Sequence, residues 1–247
     1  MSHIEFFGPP GAGKSTIYST LIDSDTFYGG TEEDAVRRWF IRKANRRQRI
    51  LYRLLPWFIR QPLDDEFLEY RLGYNALEDF IQEYPEFINK IHYAMNAVSY
   101  EPEKVFSLTR RSVERYQLGI STATDQEVLC LDEGFIQRAL SILWREPSGS
   151  FSIDEFLQTL PLPNILIYVT APPELCLTRQ QERNSVAVEK RGENIDILTA
   201  QKNIQKQCQD FIERISEGFT IVKIKNTGSV KFAIEKILSE LPQTSIK

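Results

Sequence analysis

Short apolar runs bounded by turn residues alternate along this chain with longer segments of helical periodicity. The clearest run is NILIYVT at 164–170, and a continuous apolar strand of this kind is typical of a parallel sheet covered on both faces. Further runs predict strands near 4–7, 27–30, 127–131 and 219–224. The helices predicted after them cover 13–22, 134–145, 173–183, 195–217 and 229–238. Strands that alternate with helices indicate a parallel sheet with right-handed crossovers.

Residues 32 to 120 interrupt this alternation with a segment that is mostly helical. It opens on Glu32-Glu33-Asp34, which favours a helix start because acids suit the positive end of the helix dipole. Prolines divide it into roughly four or five helices; they are Pro56, Pro62, Pro85 and Pro102. We predict a three-layer α/β core of residues 1–31 and 121–247 with a mostly parallel five-stranded sheet, and a helical insert lobe of residues 32–120.

The composition is that of an ordinary globular protein, with 247 residues of which 42% are hydrophobic and 26% charged. The net charge of −4 argues against a nucleic-acid partner, because such proteins carry a clustered basic excess. No apolar run approaches the ~20 residues of a membrane span, and the N-terminus lacks the pattern of a secretory signal. Cys130, Cys176 and Cys208 match no metal spacing, so we expect reduced cysteines in a cytoplasmic protein.

The first predicted strand leads into Gly8-Pro9-Pro10-Gly11-Ala12-Gly13-Lys14-Ser15, which fits the Walker A pattern G-x-x-x-x-G-K-[ST]. We call residues 8–15 the phosphate loop, because glycines there let backbone N–H groups surround phosphate oxygens at a helix start. Lys14 is predicted to reach the β- and γ-phosphates of ATP, Ser15 to bind Mg²⁺, and Thr16 to complete the ATP site. A chance glycine-rich turn is the alternative, but the strand before it and the helix after it favour a P-loop NTPase core.

The strand at 127–131 ends in Asp132-Glu133. In P-loop proteins an aspartate at such a strand end anchors Mg²⁺, and Asp132 is the candidate for that role. Successive strand side chains point to opposite faces, so Glu133 faces an acceptor or a water unless the chain bends at Gly134. An acidic pair that merely caps the next helix is the alternative. Which of the two acids acts as the base stays open.

Arginines follow the strand at 164–170. Arg179 and Arg183 share one helix face, and Arg191 lies in a Lys-Arg-Gly-Glu turn. Arginines stabilise the charge on a transferring phosphoryl group, and a closing arginine lid excludes water. Interspersed acids leave an ordinary solvated helix as the alternative.

The strand, the Pro172-Pro173-Glu174 helix start and these arginines together resemble the lid region of thymidylate kinases and other nucleoside or nucleotide kinases. The resemblance covers about residues 3–22 and 105–238. It implies a lid near 179–195 and places Asn226 and Thr227 in the loop that borders the adenine. It also implies an acceptor-side helix at 105–110, where Arg110 is a candidate acceptor contact and Arg111 and Arg115 lie close by. Arg191 in the lid and Glu133 after the third strand are the other candidate acceptor contacts.

Two features depart from that family. Thymidylate kinases have Asp-Arg after the third strand and deoxynucleoside kinases have Glu-Arg-Ser, whereas this chain has Asp132-Glu133-Gly134. The insert at 32–104 is also long and unlike the family's acceptor side. Both departures concern the acceptor, so the identity of the acceptor is not predicted.

A basic stretch, residues 37–60, carries nine Lys or Arg residues and no acid. One interpretation is a basic amphipathic helix that binds an anionic partner such as a phosphorylated substrate, a lipid headgroup or RNA. The other is a surface helix of the lobe, neutralised by the acids that follow it, which are Asp64, Asp65, Glu66 and Glu69.

These observations predict an ATP- and Mg²⁺-dependent small-molecule kinase whose acceptor enters between core and lobe. Its predicted catalytic residues are Lys14, Asp132, Glu133, Arg179 and Arg183. The alternative is a P-loop ATPase switch or effector, in which Glu133 polarises water. A GTPase is not predicted, because the sequence has no Asn-Lys-x-Asp motif.

Overall fold

The computed structural model describes residues 3–23, 27–29, 38, 46–47, 50, 54–56, 73–125, 127–146, 149–183, 196–215 and 219–241. Its strands form one five-stranded sheet with the order β2-β3-β1-β4-β5, and every neighbouring pair among them is parallel. The predicted parallel sheet is therefore confirmed. The strands are β1 (His3–Phe7), β2 (Phe27–Tyr28), β3 (Val128–Leu131), β4 (Ile165–Thr170) and β5 (Thr220–Lys225).

Helices follow the strands where the periodicity predicted them. Two of them begin with a proline, at Pro102 and Pro173. The first N–H groups of a helix have no acceptor within it, so a proline, which lacks an N–H, costs no hydrogen bond there. A short helix at 153–157 was not predicted; Ser152 caps it by accepting the N–H of Glu155. The helices are α1 (Lys14–Ile22), α2 (Gly73–Glu83), α3 (Glu86–Ala97), α4 (Pro102–Thr122), α5 (Phe135–Leu143), α6 (Ile153–Leu157), α7 (Pro173–Glu182), α8 (Ile197–Ile215) and α9 (Val230–Glu240).

The sheet lies between two apolar clusters, as the predicted three-layer core requires. Alternate residues of β1 belong to different clusters: Phe7 packs with α2–α6 and α8, whereas Ile4 and Phe6 pack with α1, α7 and α9. Each cluster contains residues of the central strands β3 and β4, so these strands are covered on both faces. This explains their continuous apolar sequences.

The strand order determines where a ligand crevice forms. After β1 the chain passes to β2 and β3 on one side of it, and then to β4 and β5 on the other. In open parallel sheets such a reversal leaves a crevice at the carboxyl ends of the strands. The phosphate loop follows β1 and the acidic pair follows β3, and these strands are neighbours. The topology therefore brings both motifs to one edge of the sheet.

The insert lobe is described mainly by α2, α3 and α4, which share an apolar cluster with α5 and the sheet. The helix start predicted at residues 32–34, most of the basic stretch and the acids at 64–69 lie outside the described residues. The division between core and lobe stays a prediction. None of the described helices combines the length and apolar character that a membrane span requires.

One arginine of the basic stretch is bound to the core. The guanidinium of Arg38 lies 3.7 Å from the centroid of the Tyr28 ring. It donates to both carboxylate oxygens of Glu127, at 2.7 and 2.8 Å. Arg46 and Arg47 are exposed. The charge of Arg38 is therefore paired with an acid of the core.

This ion pair predicts an acid-sensitive contribution to stability. The hydrogen bonds from Arg38, followed by those from Thr124, lower the pKa of Glu127 from 4.5 to about 2. A carboxylate whose pKa is lowered by folding stabilises the fold above its unfolded pKa, and loses that contribution as the pH falls toward the folded value. We expect Glu127→Gln to lower Tm at neutral pH by a few degrees, because each kcal/mol lost from the free energy of unfolding lowers Tm by about 2–4 °C in a chain of this size.

The same substitution should flatten the fall of Tm between about pH 5 and pH 2, since the titrating group is gone. Thermal unfolding followed by circular dichroism across this range tests it. Glu155→Gln is the matched control, because it removes an exposed ion pair with Lys90 and such pairs contribute little. An unchanged acid dependence in Glu127→Gln would contradict the assignment.

Candidate active site

The phosphate loop fits its surroundings only because it is rich in glycine. Gly8 and Gly11 have φ values of 147° and 79°, which L side chains rarely adopt. A Cβ atom on Gly8 would lie 2.1 Å from the carbonyl oxygen of Val169, and one on Gly11 would lie 2.2 Å from that of Cys176. The loop is therefore seated directly on the backbone at the end of β4 and the beginning of α7.

Lys14 holds the first two carbonyl groups of the loop. Its Nζ donates to the oxygen of Gly8 at 2.8 Å and to that of Pro9 at 3.3 Å. The side chain is buried, and burial lowers its pKa, while the nearby Glu133 and Asp132 oppose that shift. The phosphate loop therefore contains a buried ammonium group with two acids close to it.

Two buried glutamines hold the next carbonyl. The Nε2 atoms of Gln180 on α7 and Gln201 on α8 donate to the oxygen of Pro10, at 3.2 and 3.3 Å. Gln180 also donates to the Oε1 atom of Gln201 at 3.0 Å. The loop is thus connected to two helices at once.

The last carbonyls are bound from α7 and from the loop after β5. Nη1 of Arg179 donates to the oxygens of Gly11 and Ala12, at 3.4 and 3.3 Å. Nδ2 of Asn226 donates to the oxygen of Ala12 at 2.8 Å. A Cβ atom on Gly13 would lie 2.3 Å from this Nδ2 atom, so a side chain at position 13 would displace the amide of Asn226.

Two of these bound carbonyls turn an N–H toward the crevice. The N–H and the C=O of one peptide point in opposite directions, so binding the carbonyls of Pro10 and Ala12 turns the N–H groups of Gly11 and Gly13 away from the protein. The carbonyls of Gly8 and Pro9 precede prolines, which have no N–H, and the N–H of Ala12 donates to the carbonyl of Pro9 at 3.3 Å. Among the described residues none accepts a hydrogen bond from the N–H of Gly11, Gly13, Lys14, Ser15 or Thr16. Convergent N–H groups at a helix start form a concavity that binds anions, and phosphate above all.

Asp132 lies beside the start of α1. Its Oδ1 atom is buried and has no partner among the described residues. Burial raises the pKa of Asp132, and the nearby hydroxyl of Ser15 opposes this. A buried carboxylate oxygen without a donor costs free energy unless a cation or donor binds it. The pair therefore fits a hard cation with oxygen ligands.

That cation would need further ligands. Among the residues that the structure describes, no group of three or more His, Cys, Asp or Glu side chains could hold a metal ion. Mg²⁺ suits such a site, because it is usually bound by one or two protein oxygens together with substrate phosphates and water. Ser15 and Asp132 are the residues that fit it here.

Glu133 also lies in the crevice, contrary to the simple alternation expected of a strand. The chain turns at Asp132 and Glu133 instead of extending β3. Both acids raise the pKa of Lys14, with Glu133 the stronger. Burial favours a raised pKa for Glu133, but the cations Arg138, Lys14 and Arg115 together hold it below its usual value. Glu133 is therefore an ionised carboxylate next to the loop.

The turn is fixed from below by a buried acid of β1. Glu5 accepts the N–H groups of Phe135 and Ile136 with its two carboxylate oxygens, at 3.0 and 2.9 Å. It thereby caps α5 and complements the positive end of that helix. A Cβ on Gly134 would lie 2.1 Å from the carboxyl carbon of Glu5, so only glycine fits there.

The other predicted contacts are dispersed. Arg183 and Thr227 are exposed, and Arg191 lies outside the described residues. On α4, Arg110 is paired with Glu114 at 2.6 Å and Arg111 is exposed.

Arg115 is the acceptor-side arginine that the fold brings to the crevice. Its Nη2 atom is 3.3 Å from the hydroxyl of Tyr18, which donates to the carbonyl of Gly29. Burial raises the pKa of Tyr18 to about 12, with Arg115 opposing the shift, so this hydroxyl stays neutral. Of the predicted acceptor contacts on α4, Arg115 is therefore the one that lies at the crevice.

Several residues of the site were not predicted from the sequence. Glu5 could have been found, because a charged residue inside an apolar central strand needs buried partners. Arg138, Ser112, Gln180 and Gln201 carry no local signal, since each looks like an ordinary polar position of a helix. Their roles depend on contacts between elements distant in sequence.

Comparison with known proteins identifies the fold. The sequence matches no protein-family model and none of the curated proteins. The structure of deoxyadenosine kinase from M. mycoides with bound dATP aligns over 97% of this chain and 98% of that chain, with 16% identity and a TM-score of 0.51. The same enzyme with dCMP and dCDP aligns over 96% and 97%, with 15% identity and a TM-score of 0.49.

The first of these likenesses establishes a shared fold. The chain has the P-loop α/β core of a nucleoside kinase fold, which confirms the predicted fold class. At this level of identity the likeness concerns the arrangement of helices and strands. The chemistry of the site has to be inferred from the residues of this chain.

The seating of the loop predicts the effect of a single methyl group. Gly11→Ala places a Cβ against the backbone oxygen of Cys176, which cannot move aside as a side chain would. We expect it to weaken binding of ATP by about tenfold or more, a loss of ~1.4 kcal/mol, because the N–H groups lose their alignment. Isothermal titration calorimetry measures this.

Gly149→Ala is the matched control. Gly149 has a similar φ of 70°, but nothing lies within 4 Å of its would-be Cβ atom. It should cost about 1–2 kcal/mol of stability through its backbone alone and leave ATP binding unchanged. Equal effects of the two substitutions on ATP affinity would contradict the proposed seating.

Proposed function

We propose that this chain is an ATP- and Mg²⁺-dependent kinase of the nucleoside and nucleotide kinase type, which transfers the γ-phosphate to a small acceptor. The observation that carries the proposal is the phosphate loop, in which the N–H groups of Gly11, Gly13, Lys14, Ser15 and Thr16 lie around the start of α1 without an acceptor among the described residues. A triphosphate provides the anionic oxygens that these N–H groups and Lys14 suit.

The metal site is proposed at Ser15 and Asp132. Their support is the closeness of the Ser15 hydroxyl to Asp132 and the unpartnered buried oxygen of Asp132. When bound, Mg²⁺ neutralises charge on the phosphate oxygens. The two residues themselves orient each other and present oxygen atoms toward the loop.

Glu133 is the carboxylate that we assign to the acceptor. Burial raises the pKa of Asp132, whereas the pKa of Glu133 is held low by Arg138, Lys14 and Arg115, so Glu133 is the ionised carboxylate on this edge of the sheet. A carboxylate there can accept the proton of an attacking hydroxyl. Arg115 is proposed to contact the acceptor from α4, and Arg110, Arg111 and Arg191 stay candidates for the same role.

A nucleoside is the acceptor that the available observations favour. The fold likeness is to an enzyme named as a deoxyadenosine kinase. The sequence resemblance to thymidylate kinases favours a nucleotide instead, and a panel that contains both classes separates them. Activity on nucleoside monophosphates alone would favour the thymidylate-kinase-like alternative.

The remaining contacts to ATP are proposed around the outer side of the loop. Arg179 and Asn226 already touch the carbonyls of the loop, and Asn226 keeps a buried Oδ1 atom without a partner among the described residues. Asn226 and Thr227 are proposed to border the adenine. Arg179 and Arg183 begin the proposed lid near 179–195.

The decisive experiment measures transfer of phosphate from ATP. Wild-type protein with Mg²⁺ is incubated with deoxynucleosides, ribonucleosides and their monophosphates, and ADP and phosphorylated product are quantified. We expect slow turnover of ATP alone and a large stimulation by one acceptor class, because closure around the acceptor excludes water. Lys14→Ala should abolish transfer and weaken ATP binding. Wild-type activity in that variant would exclude the proposed ATP site.

Two substitutions separate transfer from hydrolysis. Asp132→Asn should raise the Mg²⁺ concentration that activity requires. Glu133→Gln should lower kcat/KM for the acceptor by about 10²-fold, the usual contribution of a proton acceptor, and leave ATP affinity unchanged. An ATPase switch would instead hydrolyse ATP without an acceptor. In that case Glu133→Gln would stop hydrolysis and trap bound ATP.

A further inference from the structure

Glu133 is held at both of its ends by side chains of two helices. Nη2 of Arg138 on α5 donates to its carboxylate oxygen Oε2 at 2.7 Å. The hydroxyl of Ser112 on α4 donates to its backbone carbonyl at 3.1 Å. Nε of Arg138 in turn donates to the hydroxyl oxygen of Ser112 at 3.1 Å. One guanidinium therefore connects the carboxylate and, through the serine, the backbone of the same residue.

This network lies in an environment that makes it rigid. The side chain of Arg138 is only 10% exposed, so its bonds are shielded from water. A guanidinium presents its donors in a fixed fork, so binding two acceptors at once fixes its orientation as well as its position. Glu133 is 44% exposed toward the crevice. The network thus fixes one carboxylate oxygen and the backbone of Glu133 while part of its side chain stays accessible to solvent.

The other charges that face Glu133 do not fix its direction. Lys14 lies on the phosphate loop, Arg115 on α4, and Asp132 precedes Glu133 in the same turn. Lys14 is bonded to loop carbonyls and Arg115 to Tyr18. Among the described residues, the hydrogen bond that orients the carboxylate of Glu133 comes from Arg138.

We propose that Arg138 and Ser112 are positioning residues, which hold the carboxylate of Glu133 in the direction of the acceptor and couple α4 of the insert lobe to the turn after β3. The role of Glu133 toward the acceptor rests on the proposed function. The network itself does not. Neither residue touches the reacting atoms in this assignment; both act through Glu133.

A double-mutant cycle tests the proposal. Arg138→Met is measured in the wild-type and in the Glu133→Gln background, with kcat/KM for the acceptor as the readout. We expect about a tenfold loss in the first background and less than about twofold in the second, because residues that act through one another are not additive. Equal losses in both backgrounds would overturn the proposal, since a merely structural role lowers both alike.

Arg145→Met is the matched control. Arg145 follows the same helix, its side chain is 13% exposed, and it is paired with Glu101 at 3.4 Å, away from the crevice. It should leave kcat/KM within about twofold of wild type. If Arg138→Met does not fold, Ser112→Ala carries the cycle in its place; it removes one hydroxyl, and about a fivefold loss is expected for a single hydrogen bond.

A measurement on the protein without substrates separates failure of this proposal from failure of the proposed function. The carboxyl carbon of Glu133 is followed by ¹³C NMR in protein labelled at glutamate and assigned by its loss in Glu133→Gln. At one neutral pH its chemical shift should change in Arg138→Met, because the hydrogen bond from the guanidinium is lost, and stay unchanged in Arg145→Met. This change together with an absence of transferase activity would overturn the kinase and retain the network; no change in chemical shift would overturn the network whatever the activity.

Discussion

The site depends on the orientation of the peptide groups in the phosphate loop. A peptide is planar and its two polar ends point in opposite directions, so an N–H can face a phosphate only if its C=O faces the protein. In this chain donors from α7, from α8 and from the loop after β5 bind the carbonyls of Pro10 and Ala12, which leaves the N–H groups of Gly11 and Gly13 facing outward. The helices of the C-terminal third are therefore part of the phosphate site even though they contribute no residue to its motif.

The same requirement explains the unusual polarity of those helices. Gln180 and Gln201 are 3% and 0% exposed, and a buried amide is costly unless its donors and acceptors are used. Each of them donates to the loop, and each is bonded to the other. Replacing them by apolar residues would fill the space but leave a backbone carbonyl without a donor.

Sequence periodicity predicted the strands and the longer helices. It missed features that depend on single contacts between residues far apart in the sequence. Strand β4 was clear because residues 165–169 form a continuous hydrophobic run, and the phosphate loop was clear because its glycines have fixed spacing. Helix α6 was missed because five residues are too few for periodicity, although the spacing of Ser152 and Glu155 is that of a capping box.

The acidic pair shows the same limit in the site. Alternation predicted that Glu133 would turn away from Asp132, but β3 ends at Leu131 and the chain turns at both acids, directly before the start of α5 that Glu5 caps. Arg138 is five residues from Glu133 and Ser112 is twenty-one residues from it, and no local pattern marks either contact. The motif could be predicted from the sequence, whereas the direction of its side chain required the packing of α4 and α5.

The contact between Glu5 and Gly134 has a consequence for how sequences of this kind can diverge. Deoxynucleoside kinases, which the chain resembles, have a serine where this chain has Gly134, and here that side chain would overlap the carboxyl group of Glu5. A side chain at 134 therefore requires Glu5 either to move away from the N–H groups of α5 or to be replaced by a shorter residue, and α5 loses its cap in both cases. The two positions are expected to covary among relatives.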